Sequence, residues 1–509
     1  MRLQPPRHPP KLRLSPSKEI VFLLVILAIA AFFRLWQLDF IPPGLYPDVA
    51  INGNDALDSL KNAPPAGEFK VFYPENNGRE GLFIWLIAAS FSIFGISIWS
   101  IKIVAAIIGI LTVFGLYLLT KELFVNQAEN ISRPVALLSS FFLAVSFWHT
   151  NFSRIGFRGI LLPFILFFAF YFLFKGFREK KIFNFILSGI FFGLGFYTYI
   201  SYRFIILLLP LILLFWWFIY RKENQTKKFL LFTGYCLLLT VVVALPIGFY
   251  FLQNPQDFVG RATPISVFAT ENPLKEFGQS LILHLGMFNF YGDPNWRHNF
   301  ASSPMLFWPI GILFLIGFFI SIKEIISKKS SSFVICHWSL VIWFFIMLLP
   351  GILTYEGVPH ALRIIGVIPA VYIFVGFGGW KVYEFLNQNT TKKTLLLIAS
   401  FLFLLSMGIS EFNKYFVKWA KNLEVENAFS KDYVEIGNYL NSLPSETQKY
   451  VIVNVPGVPV PYPDGIPMPA QILMFIERIK FGEPRAIYLK PEDLEKIKPG
   501  KEAIIIPMK

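Results

Sequence analysis

Six carboxylates, Asp48, Asp55, Asp58, Glu68, Glu75 and Glu80, fall within one segment, 39–80, directly behind the first hydrophobic run of the chain. Gathering carboxylates beside a bilayer costs desolvation and mutual repulsion, so such a cluster points to a cation, a sugar or a proton to be handled. The run Pro42-Pro43-Gly44-Leu45-Tyr46-Pro47-Asp48 breaks the chain, and Asp48 falls where that turn gives way to a short surface helix. A lone aspartate there is a favoured helix cap. A second polar cluster, Glu75-Asn76-Asn77-Gly78-Arg79-Glu80, closes the same loop, so its two ends can bring Asp48 near Glu80. Asp48 is therefore the expected reacting carboxylate. Glu80, abutting apolar Leu82, Phe83 and Ile84, is read as functional rather than structural. Glu75 and Arg79 read as a solvated ion pair.

Cations that share this face are the natural counterpart. Arg154 and Arg158 lie in Asn151-Phe152-Ser153-Arg154-Ile155-Gly156-Phe157-Arg158, Arg203 follows Tyr197-Thr198-Tyr199, and His360 precedes Arg363. Positive residues are scarce on the outer side of a membrane protein, and the planar guanidinium fork suits a phosphate. Arg158 and Arg363 are read as phosphate ligands, helped by Arg154 and His360; Arg203 divides evenly between that role and lipid headgroups. Tyr197 and Tyr199 are first of all interfacial belt residues, with Tyr199 kept as a substrate-binding candidate.

The elements that position these groups are apolar blocks. Of the residues, 55% are hydrophobic and 18% aromatic, and mean hydropathy is +0.56, a composition that excludes a soluble enzyme. Ile20 to Leu38 forms a first span, read as uncleaved because the apolar run continues past the small residues Ala28 and Ala30. Eleven further blocks follow, near 82–98, 100–120, 134–150, 159–174, 182–200, 203–220, 229–252, 305–322, 333–353, 362–380 and 394–410. Basic clusters at the N-terminus, Lys121 with Arg133, Lys175 to Lys181, Arg221 to Lys228, Lys323 to Lys329 and Lys381 to Lys393 should all be cytoplasmic. Three blocks separate the first two clusters, and an odd number of crossings cannot return the chain to its starting side. Gly81 to Gly95, about 22 Å long as a helix against a hydrocarbon core of about 30 Å, is the block expected to lie along the surface.

The expected architecture is mainly α: a polytopic transmembrane helix bundle of about 11 spans plus interfacial helices, with a small C-terminal α/β domain. Residues 1–19 form a cytoplasmic N-terminal segment, 20–410 the transmembrane module with outer loops 39–80 and 253–304, and 411–509 the extracytoplasmic domain. The second outer loop contains Gly292-Asp293-Pro294-Asn295-Trp296-Arg297-His298-Asn299, long and turn-rich enough to be functional. The tail alternates helix-like 431–442 and 469–480 with strand-like Tyr450 to Val455, Arg485 to Leu489 and Ala503 to Pro507; Pro456 to Pro469 reads as an exposed loop or arm.

Several features point away from other chemistries. The net charge of +14 is spread in short clusters between apolar blocks, which argues against a nucleic-acid partner. Cys236 and Cys336 each lie inside an apolar block and encode neither a disulfide framework nor a thiolate site. Gly189 with Gly193, and Gly376, Gly378 and Gly379, suit helix packing rather than a phosphate loop. The six histidines show no metal-ligand spacing, although His298 and His360 could meet at the outer face; coincidence is the preferred reading.

With these residues in place, the chain resembles the C-type glycosyltransferases, in the branch containing dolichyl-phosphate-mannose protein mannosyltransferases and lipid A aminoarabinose transferases. The resemblance is carried by Pro42 to Asp58, Asn76 to Leu82, Gly292 to Asn299 and Pro359-His360-Ala361-Leu362-Arg363. The family's acidic pair is Asp-Glu, whereas here Asp48 is followed by Val49, so only the first acid carries over. The resemblance implies a cell-membrane enzyme that moves a sugar, hexosyl or pentosyl, from a polyprenyl-phosphate donor to a protein, lipid or glycan acceptor at the outer face. Asp48 would be the general base, with inversion at the anomeric carbon, and Glu80 would orient the acceptor or a divalent metal cation, which, if one is used, would sit at Asp48 and Glu80. Arg158 and Arg363 would stabilise the departing phosphate, and Asp293, Asn295 and Arg297 would cover the sugar. A flippase of lipid-linked sugars would instead need ionisable groups near mid-membrane; a non-catalytic envelope protein is the third expectation.

Overall fold

A computed structural model describes residues 15–61, 67–125, 129–260, 262–327, 331–460, 465–498 and 503–508. The basic residues before Ser15, and Lys328 and Lys329, lie outside the described residues. Helix α1 (Pro16–Leu35) starts on a Ser15 cap, with Pro16 at the first helical position, and is followed by the short helix α2 (Pro47–Ser59). A two-residue hairpin, β1 (Phe72–Tyr73) and β2 (Arg79–Glu80), leads into α3 (Leu82–Phe94) and α4 (Ile98–Leu123). Then come α5 (Glu129–Val145), the single-turn α6 (Phe147–Phe152), α7 (Leu161–Glu179), α8 (Ile182–Gly195), α9 (Ile205–Lys222) and α10 (Thr226–Gln253). After α11 (Pro255–Val259) and α12 (Pro273–Gly286), the bundle closes with α13 (Trp308–Ile326), α14 (Ser331–Ile352), α15 (Ile368–Asn389) and α16 (Lys393–Phe412).

Among the described residues eight helices are long and apolar enough to cross a membrane, and shorter apolar helices include α3, α8 and most of α5. Helix α1 is equally apolar and turns Ile20, Val21, Leu24 and Val25 outward. The basic loops meet at one end of the bundle. Glu19 at the start of α1 accepts from Lys121 at 2.7 Å and Arg133 at 3.2 Å, tying α1 to the end of α4 and the start of α5. Arg178 reaches Glu122, Lys180 donates to Gln225 at 2.9 Å, and His337 packs between Phe124 and Phe377. Helix α3 does not take part in this alternation. Its first amide, Leu82 N–H, donates to the Tyr197 carbonyl at 3.3 Å, while near its other end Ser90 donates to the Ser100 carbonyl and Phe91 stacks on Phe475 of the C-terminal region. Both ends of α3 therefore lie at the end of the bundle opposite the basic loops, as its short length requires.

The expected boundary at 411 falls inside a continuous helical segment. The chain passes from α16 through a wide turn at Asn413–Trp419, whose Tyr415 and Trp419 pack on Phe147. Beyond it, α17 (Leu423–Ala428) and α18 (Lys431–Ser442) precede β3 (Gln448–Val453), a short hairpin of β4 (Pro459–Val460) and β5 (Ile466–Pro467), α19 (Gln471–Phe481), β6 (Ile487–Leu489) and β7 (Ala503–Met508). The three longer strands form a parallel sheet in the order β6-β3-β7, Val451 lying between Tyr488 and Ile506. The described part of the proline-rich segment is not free: Val460 and Met468 pack on Ile51 of α2. Gly44 is left-handed at φ +75°, and a side chain there would meet the Phe429 carbonyl; this glycine lets the C-terminal region approach the turn before α2.

Candidate active site

Asp48 sits in the first turn of α2, whose cap residue is Tyr46. Its carboxylate does not bond its own helix. It accepts from Asn76 Nδ2 at 2.9 Å. Asn76, Asn77 and Gly78 are successive left-handed residues, at φ 54°, 61° and 84°. Asparagine and glycine tolerate that conformation best, so the tight connection between β1 and β2 is written in these residue types. This turn aims Asn76 back at α2, and Arg79 anchors it by donating to Asn52 at 2.9 Å and pairing with Asp55. Arg79 is fully buried, so the expected solvated pair with Glu75 is instead the centre of a buried network.

Asp48 half-faces a cavity of about 390 Å³ lined also by Tyr46, Tyr199, Arg297, His298, His360 and Arg363. Its far wall is apolar, with Phe204, Ile265, Phe268 and Leu353. Arg297 lies over the Tyr46 ring at 4.0 Å. Arg363 donates to Thr354 Oγ1 at 2.9 Å and to the Glu356 carbonyl. These two guanidinium groups converge from loops that follow α12 and α14.

The other expected residues take different places. Glu80 is buried against Arg158 Nε at 3.1 Å, and Arg158 also donates to the Gly78 carbonyl while lying over the Tyr199 ring. A buried carboxylate left alone would be costly, and Arg158 compensates it. Glu80 and Arg158 thus form the floor behind Tyr199 rather than the lining. Arg154 is further removed: it donates to the carbonyls of Phe33, Trp36, Gln37 and Ile41, closing the end of α1. Phe33 and Trp36 carry orphan acceptors of the helix C-terminus, and Gln37 and Ile41 belong to the turn that follows it, so this arginine is committed to fixing the entry to the acidic loop. Asn295 uses its carbonyl oxygen on Arg297, accepting from the backbone N–H at 2.9 Å and from Nε at 3.2 Å, and so orients that side chain.

Asp293 is buried and forms the hub of the later loops. Oδ2 accepts from the Ala361 amide at 2.7 Å and from His298 Nδ1 at 3.0 Å; His360 Nδ1 is 4.0 Å away. The rings of His298 and His360 stand 4.8 Å apart. Ligand atoms of Asp293, His298 and His360 all lie within 4.8 Å of one another. Burial, and then the nearby His298 and Arg363, hold His360 well below its usual range, so its ring is neutral. Burial likewise lowers His284, whose Nε2 accepts the His360 amide, to about 4. Two imidazoles and a carboxylate suit a borderline divalent cation such as zinc. This corrects the expectation that Asp48 and Glu80 would form any metal site: Glu80 is engaged by Arg158, and the ligand-capable group belongs to the later loops.

Sequence reasoning missed Asn76 and Tyr46 as site partners, and it raised the meeting of His298 and His360 but preferred coincidence to a shared site. The Asn-Asn-Gly run carried a usable signal for the first; the histidines carried none at any fixed spacing.

A family model described as dolichyl-phosphate-mannose-protein mannosyltransferase matches residues 82–247. A protein of Aquifex aeolicus (strain VF5), itself uncharacterized, is 25% identical over 367 residues, covering 70% of this chain and 64% of its own length. ArnT from Cupriavidus metallidurans in the apo state superimposes with a TM-score of 0.56 at 12% identity, over 90% of this chain and 84% of its own. Its structure bound to undecaprenyl phosphate gives 0.55 at 13% identity, over 95% and 91%. The apo oligosaccharyltransferase of Archaeoglobus fulgidus gives 0.52 at 14% identity, over 86% of this chain and 62% of its own. The chain therefore spans a little under two thirds of the Aquifex and Archaeoglobus proteins. Its fold is that of the C-type glycosyltransferases, in a multi-pass membrane protein.

Proposed function

We propose that this C-type-fold membrane protein transfers a sugar from a polyprenyl-phosphate donor to an acceptor hydroxyl at the outer face of the membrane. One observation carries the reading: Asp48 shares a single cavity with Arg297 and Arg363, so a base and two phosphate-binding cations face one volume. The apolar wall of that cavity suits the first units of a polyprenyl chain, and the family match and the aligned solved structures agree with it. The gathering of basic loops at one bundle end supports a cytoplasmic N-terminus and an outer C-terminal region.

In this mechanism Asp48 takes the proton from the acceptor hydroxyl as its oxygen attacks the anomeric carbon. The bond from that carbon to the phosphate oxygen breaks on the opposite face, with inversion, and the electron pair leaves on the phosphate. Arg297 and Arg363 stabilise the charge that grows there, in a site shielded from water. Asn76 fixes the orientation of Asp48. Arg158 acts through Glu80 and Tyr199, keeping the cavity floor in place. Asp293, His298 and His360 would hold a divalent cation, which when bound supplies Lewis-acid charge beside the phosphate.

Purified protein incubated with a labelled polyprenyl-phosphate sugar, without any ion gradient, should release polyprenyl phosphate and transfer label. Release only across sealed vesicles carrying a gradient would overturn the reading in favour of transport.

A further inference from the structure

A second cavity, of about 310 Å³, lies against the same surface helix on the side covered by the C-terminal region. It is lined by Asn54, Asp55 and Asp58 of α2, by Glu68, Tyr73 and Glu75 of the acidic loop, and by Gln471, Met474 and Arg478 of α19. Ile51, three positions beyond Asp48, already lines this cavity, so it begins about 5 Å along α2 from the proposed reacting carboxylate. Glu75 lines it, and the neighbouring Asn76 holds Asp48. The same turn therefore borders both cavities.

The lining is rich in acceptors, four carboxylates against the two cations Lys70 and Arg478, and part of that charge is compensated from outside the cavity. Arg478 pairs with Asp58 and donates to Asn54 Oδ1, while Asn54 Nδ2 donates to Gln471 Oε1 at 2.8 Å. Arg79 neutralises Asp55 from behind. Arg478 is over nine-tenths buried, and its Nε–H has no hydrogen-bond partner among the described residues. Held carboxylates and planar amides beside the ring of Tyr73 and the thioether of Met474 match the alternating hydroxyl edges and apolar faces of a sugar ring. A net cationic ligand is not demanded by Asp55, Asp58 and Glu75, which already have cationic partners, and Glu68 lies at the exposed rim.

We propose that this second cavity is the acceptor subsite and that the acceptor is a hydroxyl-rich glycan, its terminal sugar lying toward Asp48 and the preceding units resting between α2 and α19. The inference rests on the transferase reading for the word acceptor, but its test does not.

Full-length protein in detergent is titrated calorimetrically with neutral tetrasaccharides (maltotetraose, cellotetraose and mannotetraose) and with an uncharged serine-alanine tetrapeptide. At least one tetrasaccharide should bind. Its Kd should rise at least tenfold in Glu68→Trp or Lys70→Trp, which place a ring at the exposed rim, and by less than twofold in Glu223→Trp, on the exposed turn after α9 at the end of the bundle where the basic loops meet. No tetrasaccharide binding, equal binding by the rim variants, or displacement of the sugar by the tetrapeptide would each overturn the proposal. Cleavage of the labelled donor by the same preparation is scored separately, so a failed transferase reading is distinguished from a failed subsite.

Discussion

The two cavities that flank α2 are built with opposite chemistry. The first draws guanidinium and imidazole groups from loops after α12 and α14, presents a single half-buried carboxylate, and opens onto an apolar wall. The second draws carboxylates and amides from the acidic loop and α19 and has only two lining cations, Lys70 and Arg478. One helix serves both, with Asp48 at its start and Asp55 and Asp58 further along. On the proposed reading, the first cavity is where negative charge leaves and the second where hydroxyls are gripped, with Asp48 between them.

The contrast breaks first at Asp48. Asp48→Asn keeps the shape and the bond partner but cannot take a proton, so transfer should fall by about 10²–10⁴-fold, with helical circular dichroism and melting temperature unchanged. Single-turnover assays with labelled donor measure this, and a variant with near-normal turnover would remove Asp48 from the mechanism. The histidine side of the first cavity is next. Chelation with 1,10-phenanthroline should reduce turnover by about 10–100-fold, His298→Ala should lose bound metal by elemental analysis, and activity indifferent to both would leave Asp293, His298 and His360 as a hydrogen-bonded strut.

A sharper comparison sets Arg297 against Arg154. Arg297→Ala should raise the KM for donor by about tenfold with little change in melting temperature, as expected for loss of one charged phosphate contact. Arg154→Ala should do the reverse, losing about 1–3 kcal/mol because buried carbonyls at the end of α1 are left without donors. If Arg154→Ala changed donor KM and left stability intact, its assignment to the end of α1 would fail. The smallest effect concerns the wall of the second cavity. Burial alone would raise Asp58, but hydrogen bonding and charge from Arg478, then Lys61, hold it below its usual value. A depressed carboxylate stabilises the fold above its unfolded pKa and loses that contribution as pH falls through the folded value. Contact between α2 and α19, followed by hydrogen exchange of α19, should therefore loosen below about pH 4 in the wild type, and less so in Asp58→Asn.

Much of the membrane part was legible. Apolar block lengths and the parity of the basic clusters singled out Leu82–Phe94 as the helix that stays at one end, and its contacts with Tyr197, Ser100 and Phe475 agree. The α and β segments of the tail were also visible, because their periodicities differ. The site was legible only in part. Asp48, Arg297, His360, Arg363 and Tyr199 line one cavity, whereas Glu80, Arg154 and Asn295 are committed to other protein groups. Arg154 and Arg158 stand one helical turn apart in sequence and carry the same chemistry, so no local rule separates them.

The sequence by itself determined that the chain is a polytopic membrane protein with an acidic loop behind its first span, because hydrophobic block length, basic-cluster parity and left-handed Asn-Gly turns are local properties. Tertiary structure alone decided which charges are spent on the fold and which face a cavity. A guanidinium is satisfied by whichever acceptors packing brings within about 3 Å. For Arg154 these were the carbonyls at the end of α1 and for Arg158 the carboxylate of Glu80, whereas the Asp293 carboxylate accepts from the His298 ring of its own loop and from the Ala361 amide of a loop further along the chain.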